Sequence, residues 1–191
     1  MNLSELKMKR IFDVIISCFL LLLFSPVLLV ICLLIRIDSV GSVFFLQQRV
    51  GLYGQPFKIF KFRSMIANAD TLGGFSTEKN DVRITRIGQI IRKTSIDELP
   101  QLINVIKGDM SLVGPRPNVF QQRELYSEQE WAQRNSVRPG ITGLAQALMR
   151  SDATQEVRTQ LDLEYVDKHG FFYDLYIMLL TVKQVFLKGG N

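Results

Sequence analysis

Residues 11–35 read IFDVIISCFLLLLFSPVLLVICLLI, and the behaviour of this stretch in lipid decides the fold. Apart from Asp13, Ser17, Ser25 and Pro26 it is apolar. A continuous helix over it would be about 37 Å long, enough for the roughly 30 Å hydrocarbon layer of a bilayer. Two features oppose a simple span. Pro26 lacks the N–H that would bond the carbonyl four residues back, and a mid-helix proline costs about 3 kcal/mol. Residues 11–24 alone would reach only about 21 Å, and Ser25 can hydrogen-bond a carbonyl that the kink frees. The second feature is charge. Lys7, Lys9 and Arg10 precede the stretch, and Arg36, Arg49, Lys58, Lys61 and Arg63 follow it. The positive-inside rule would hold both flanks in the cytoplasm. A helix–break–helix that enters and returns satisfies both flanks, whereas a span satisfies one. The residues favour the re-entrant arrangement and leave the span open. No small-residue cleavage site follows, which argues against a signal peptide.

Working outward, Cys18 and Cys32 both lie inside this stretch, so no disulfide framework is expected, in keeping with a reducing compartment. They lack zinc-ligand spacing. His169 is the single histidine and adjoins Gly170, where a satisfied structural role is expected. Serine or cysteine protease-like triads would have to rest on it and are set aside. The 191 residues suit one domain, 1–191, with residues 1–36 as the membrane element and 37–191 as the catalytic part. A net charge of +5 and a pI near 9.3 point to a polyanionic partner. No basic, aromatic-interleaved nucleic-acid motif is visible, so membrane lipids and phosphates are favoured and no nucleic acid is expected.

Past the apolar stretch, Val43–Gln48 and Phe57–Phe62 are expected to be strands of a small β-hairpin around Gly51-Leu52-Tyr53-Gly54-Gln55-Pro56. Residues 68–81 are polar, contain Gly73-Gly74 and are expected to form a loop. Helices are expected at 84–93, 97–107, 121–134, 153–168 and 172–188, giving an α+β, mostly helical fold. In the last of these, Phe172, Leu175, Tyr176, Leu179, Val182, Val185 and Phe186 recur at helical spacing. A core-facing helix and an amphipathic interfacial helix account for that stripe equally well.

Ser95-Ile96-Asp97-Glu98-Leu99-Pro100 places two adjacent carboxylates at an expected helix start. Ser-x-x-Glu is also a capping-box pattern, which needs no chemistry. Pro100 would interrupt the first turns, so the carboxylates are expected at a bend. Adjacent carboxylates can hold Mg²⁺ together with substrate phosphates, or one can attack phosphorus to form an acyl phosphate. Either needs cations on the phosphate oxygens, and Lys61, Arg63, Arg92 and Arg116 are candidates. Gly114-Pro115-Arg116-Pro117 would be a stiff turn presenting a guanidinium, or an ordinary loop with a solvated one. Residues 138–146, from Arg138 through Gly140 and Gly143 to Gln146, form a second glycine-punctuated stretch. It could lay backbone amides against phosphate or be a plain surface turn. The residues alone reach a membrane-bound, Mg²⁺-dependent phosphoryl-transfer site, and no further.

At these residues the chain resembles the bacterial sugar transferase family, the small monotopic polyprenyl-phosphate phosphoglycosyl transferases. The likeness is carried by Lys9-Arg10-Ile11-Phe12-Asp13, Ser25-Pro26, Gln48-Arg49-Val50-Gly51, Phe57 to Met65, Ser95 to Pro117 and Arg138 to Gln146. It implies that Asp97 attacks a UDP-sugar, expels UMP and holds the sugar phosphate covalently. A polyprenyl phosphate, undecaprenyl phosphate in this family, then takes it to give a polyprenyl-diphospho-sugar, the first membrane step of surface glycan (exopolysaccharide, glycoconjugate) synthesis. The resemblance implies Mg²⁺ on Glu98 and Asp97, Lys61 and Arg116 near the phosphates, Arg63, Arg138 and Arg150 as further substrate-binding residues, Asp162 as a further acidic residue by the site, and Arg92 toward a lipid headgroup. Ser25-Pro26 matches the break that makes the helix re-entrant, placing the active site at the cytoplasmic face of the bacterial inner (cytoplasmic) membrane. After Gln146, Ala147-Leu148-Met149 departs from the Val-Asn-Gly of many relatives and only Arg150 is kept, so the sugar is not carried over. Two other classes account for parts of the sequence: a non-catalytic membrane module binding phosphorylated lipids, and a hydrolase that releases an aspartyl-phosphate to water. Whether the enzyme pairs with itself as a homo-oligomer is left open.

Overall fold

Leu3–Asp38 forms one helix, α1, in the computed structural model, which describes residues 3–69, 81–149 and 154–188. The sequence suggested a break at Pro26, yet the chain stays helical through it. The reason is local. The Ser25 hydroxyl donates to the Leu22 carbonyl at 2.7 Å. That is the carbonyl four residues before Pro26, which has no backbone N–H to receive.

Both ends of α1 are fastened to the rest of the chain. Toward its start, Phe12, Ile16, Leu20 and Leu21 pack on the main core. Arg10 donates to the carbonyls of Val105 at 2.6 Å and Ile106 at 3.0 Å. Toward its end, Leu28, Ile31, Cys32 and Ile35 join Phe62 and Ile91 in a second core. Between these anchor points Leu22, Leu23 and Val27 are exposed. Only 11% of the helix's most apolar 18-residue window is buried, and it is the one described helix long and apolar enough to cross a membrane. A soluble core helix would bury that surface, so its exposure argues for a lipid neighbour.

The hairpin pairs β1 (Phe44–Val50) antiparallel with β2 (Pro56–Phe62), in register from Phe44 opposite Phe62 to Val50 opposite Pro56. β1 lies one to two residues later than the alternation suggested. The turn sets this: the Gly51 amide bonds the Gln55 carbonyl at 2.8 Å, and Tyr53 and Gly54 take positive φ to close it.

α2 (Arg86–Lys93) starts at Thr85, whose hydroxyl accepts from the Gly88 amide, and α3 (Gln101–Lys107) follows Pro100. The helix expected over 121–134 is two elements: a 3₁₀ turn, Phe120–Leu125, then α4 (Glu128–Arg134). Ser127 and Glu130 form a reciprocal capping box, which starts a new helix rather than continuing an old one. Two three-residue strands, β3 (Ser111–Val113) and β4 (Gly140–Thr142), pair in parallel, a contact the sequence did not suggest. α5 (Leu144–Met149), α6 (Gln155–Lys168) and α7 (Phe171–Lys188) complete the chain. The mostly helical fold with a small hairpin is therefore as expected. Of the expected loop at 68–81, residues 70–80 lie outside the described residues.

Leu102, Val105, Met110, Val113, Tyr165 and Ile177 centre the main core, with Ile59 of β2 at its edge. α7 faces it with Asp174 and Ile177. Its apolar stripe turns the other way: Phe172, Tyr176, Leu179 and Val182 are exposed. For these members of the stripe the core-facing account does not hold.

Candidate active site

The carboxylate pair sits in a 3₁₀ turn, Ile96–Glu98, between α2 and α3. Ser95 enters it with φ 57°, in the left-handed region, and its side chain makes no cap. The capping-box account of Ser95 and Glu98 therefore fails, and the bend foreseen from Pro100 is present. Asn104 fixes the turn against the hairpin. It is fully buried, donates to the Lys58 carbonyl at 2.8 Å and accepts from the Phe60 amide at 2.9 Å. This cross-link brings Lys61 of β2 over the carboxylates.

Glu98 and Asp97 are treated differently by their surroundings. Glu98 Oε1 accepts from Lys61 Nζ at 2.7 Å and from Arg116 at 2.6 Å. Burial alone would push its carboxyl up, but Arg116 and Lys61 together hold it well below the usual carboxylate range. Asp97 is half-buried, and among the described residues nothing donates to its carboxylate. Burial first, then the neighbouring Glu98 charge, raise it to about 6, against the opposing pull of Lys61, Arg92 and Arg116. An ionised oxygen with no hydrogen-bond partner, facing three cations, is a nucleophile's setting.

Arg116 is carried by a turn that the second sheet pins down. The Gly114 amide bonds the Thr142 carbonyl at 2.9 Å, and the Gly140 amide bonds the Pro115 carbonyl at 3.0 Å. Gly114, Gly140 and Gly143 lie backbone against backbone, where any Cβ would collide. The second glycine-punctuated stretch thus serves this close approach. Arg134 bonds both the Arg116 carbonyl and Asp162, at 2.8 Å to the latter, tying α4 and α6 to the same turn.

A cavity of about 500 Å³ opens beside the pair, with Glu98 and Arg116 at one wall and Arg158 and Asp162 at another. Its lining is largely apolar, from Leu20 of α1, Leu112, Ile141 and Val182.

The expected site residues divide. Asp97, Glu98, Lys61 and Arg116 are brought together, Arg92 is near enough to act on Asp97, and Asp162 borders the cavity. Arg63 and Arg138 are not brought to the pair. Arg63 donates to the carbonyls of Ser39 at 2.6 Å and Val40 at 3.1 Å, satisfying acceptors at the end of α1. Arg138 donates to the Gly108 carbonyl at 2.9 Å. Arg150 lies outside the described residues. Arg49 was missed. It borders a small cleft with Lys61 and Arg116, and burial and the repulsion of Arg116 lower it to about 10. Its sequence signal was only that it falls in Gln48-Arg49-Val50-Gly51. Arg158 had no signal beyond standing one turn before Asp162.

Among the described residues no group of three or more His, Cys, Asp or Glu could hold a metal. Two adjacent carboxylates, one without a hydrogen-bond donor, nevertheless fit Mg²⁺ of the kind that takes one or two carboxylates and completes its shell with substrate phosphates and water.

The model of the bacterial sugar transferase family matches residues 4–188. Over 183 residues the chain is 45% identical to the sugar transferase EpsL of Bacillus subtilis, a match covering 96% of this chain and 89% of that one. A UDP-glucose:undecaprenyl-phosphate glucose-1-phosphate transferase of Caulobacter vibrioides is 43% identical over 181 residues, covering 91% and 68% respectively. The exopolysaccharide production protein ExoY of Rhizobium meliloti is 42% identical over 198 residues, covering 96% and 87%.

Proposed function

The chain belongs to the bacterial sugar transferase family and is a transferase, and from that premise we propose that it moves a sugar 1-phosphate from a UDP-sugar to a polyprenyl phosphate such as undecaprenyl phosphate. The names of several relatives specify this reaction for glucose 1-phosphate. Membership in a family of transferases removes the reading as a non-catalytic lipid-binding module.

One observation carries the proposal: among the described residues nothing donates to the Asp97 carboxylate, while its neighbour Glu98 is held by Lys61 and Arg116. Asp97 attacks the β-phosphorus. The bond from that phosphorus to the bridging oxygen breaks, and UMP leaves with the electron pair. A phosphate oxygen of the polyprenyl phosphate then attacks the same phosphorus, the acyl phosphate bond breaks, and Asp97 is returned as a carboxylate. Arg116 and Lys61, with Arg49 behind them, face the phosphate oxygens as charge develops, while Glu98 holds the two cations in place. Asp97 and Glu98 would hold Mg²⁺, which would neutralise diphosphate oxygens that otherwise repel the attacking anion.

The setting supports a re-entrant membrane helix over a span. Both ends of α1 rest on one body and basic residues flank both ends, while the helix itself runs unbroken through Pro26. With the outward stripe of α7 lying in the headgroup layer, the reaction would occur at the cytoplasmic face of the inner membrane, beside the acceptor lipid.

The test is a UDP-sugar screen without acceptor lipid. One donor should give a burst of UMP stoichiometric with enzyme and a phosphosugar adduct on the peptide containing Asp97. Adding polyprenyl phosphate should chase the adduct into lipid diphosphosugar. Free sugar phosphate as the sole product would instead mean hydrolysis of the intermediate.

A further inference from the structure

Gln146, in α5, has both side-chain polar atoms buried without a hydrogen-bond partner among the described residues, and it lines the cavity next to the carboxylate pair. Two unmet polar atoms on one side chain are costly, because each was stripped of water without a replacement partner. A glutamine retained there for packing alone would be better replaced by a leucine. Its position is set by the same close-packed backbone that carries Arg116. Oε1 lies where a Cβ on Gly143 would come within 2.8 Å, and Gly143 itself abuts the Gly114 carbonyl. The amide is thus fixed beside the reaction centre and unused by the protein.

A carboxamide offers a coplanar donor and acceptor, matching a partner that presents N–H and C=O side by side. The walls narrow the choice. Leu99, Leu112, Ile141 and Ala145 give an apolar lining that suits a flat heteroaromatic ring. A hexose, with several hydroxyls, is better served by the polar residues elsewhere in the lining, Ser95, Arg158 and Asp162. An isoprenoid tail would cover the walls but leave the amide unmet.

We propose that Gln146 reads the base of the nucleotide donor, Oε1 accepting from the uracil N3–H and Nε2 donating to an adjacent uracil carbonyl. This rests on the reaction proposed above and assigns the base-recognition wall of that site.

The experiment measures UMP binding to the purified full-length protein in lipid nanodiscs, together with its thermal midpoint, for wild type, Gln146→Leu and Gln146→Glu. UMP carries the base without the sugar or the lipid. Both variants should bind UMP about tenfold more weakly, the equivalent of one to two neutral hydrogen bonds. Gln146→Leu should melt no lower than wild type, because it removes polar atoms that have no partner. Affinity for polyprenyl phosphate should be unchanged. UMP binding within twofold of wild type in both variants overturns the assignment. So does a lower melting temperature in both variants alongside weakened UMP binding, the pattern of a structural amide, or weakened polyprenyl phosphate binding with UMP unaffected. If wild type itself binds no UMP, the reaction proposal fails, which is distinguishable from failure of the Gln146 assignment alone.

Discussion

Two of the polar clusters among the described residues both set lysine against carboxylates, and they are arranged for opposite ends. In the first, Lys9 of α1 pairs with Asp174 of α7 and donates to the Val113 carbonyl. The Tyr165 hydroxyl lies 2.9 Å from both Asp174 and the Val113 carbonyl, and Ser111 donates to Asp13 at 2.7 Å. Each carboxylate there is engaged, and the cluster locks α1 to α6, α7 and β3. In the second, Lys61 and Arg116 converge on Glu98 and leave Asp97 with no donor among the described residues. Burying charge is not itself the mark of a reactive site. A satisfied cluster specifies a structure, whereas a cluster with one member left unmet keeps that member available.

The comparison breaks most sharply at Asp97. Asp97→Asn should lower UMP release by a factor on the order of 10⁴ or more, remove the phosphosugar adduct from the mass spectrum, and leave the thermal midpoint no lower than wild type. A variant that turns over normally would exclude Asp97 as nucleophile. Glu98→Gln should cost on the order of 10²- to 10³-fold in rate, comparable to losing one preorganised electrostatic partner, because Lys61 and Arg116 lose the charge that orders them. A Mg²⁺ titration unchanged by this substitution would speak against Glu98 as a ligand. Asp174→Asn should do the reverse: about 3 kcal/mol of stability lost by denaturant or thermal titration in detergent, as when one partner of a buried pair is removed, with the rate per folded molecule nearly kept.

The smallest expected effect, and the one that sharpens the contrast, is in pH. The attacking group must be the anion, and Asp97 titrates at about 6. The first half-reaction should therefore be flat above that pH and fall about tenfold per unit below it. Stability should move the opposite way over the same window. Asp97 holds its proton more tightly folded than unfolded, so between its ordinary value of 3.8 and about 6 the folded state loses stability as pH rises. A stopped-flow UMP assay and a series of melts across that range test both signs.

Much of this was legible in the chain itself. Pro26 with Ser25 foretold both the missing backbone bond and its replacement, because the consequence of a proline is confined to one turn. Pro100 likewise foretold that Asp97 and Glu98 would sit off a regular helix. The pairing of β3 with β4 was not legible, since three-residue strands carry too few positions for a period-two pattern to register. The division of 121–134 could have been found: Ser127 and Glu130 spell a capping box in the middle of the segment. Arg63 and Arg138 illustrate a harder limit. An arginine's sequence neighbours say that it is charged but not which acceptor it will meet, and these two ended on backbone carbonyls while Arg49 and Arg158 reached the site region. Gln146 carries no such signal either, because an unmet amide is visible only once its surroundings are assembled.

The double fastening of α1 has a consequence for how the protein meets a bilayer. No linker separates the apolar helix from the body bearing Asp97, so the altitude of the carboxylates above the acyl chains is a fixed dimension of the folded chain. Lipids of different thickness or headgroup size would bring their own phosphates to that level or fail to, which makes the choice of surrounding lipid a variable of the reaction rate in its own right.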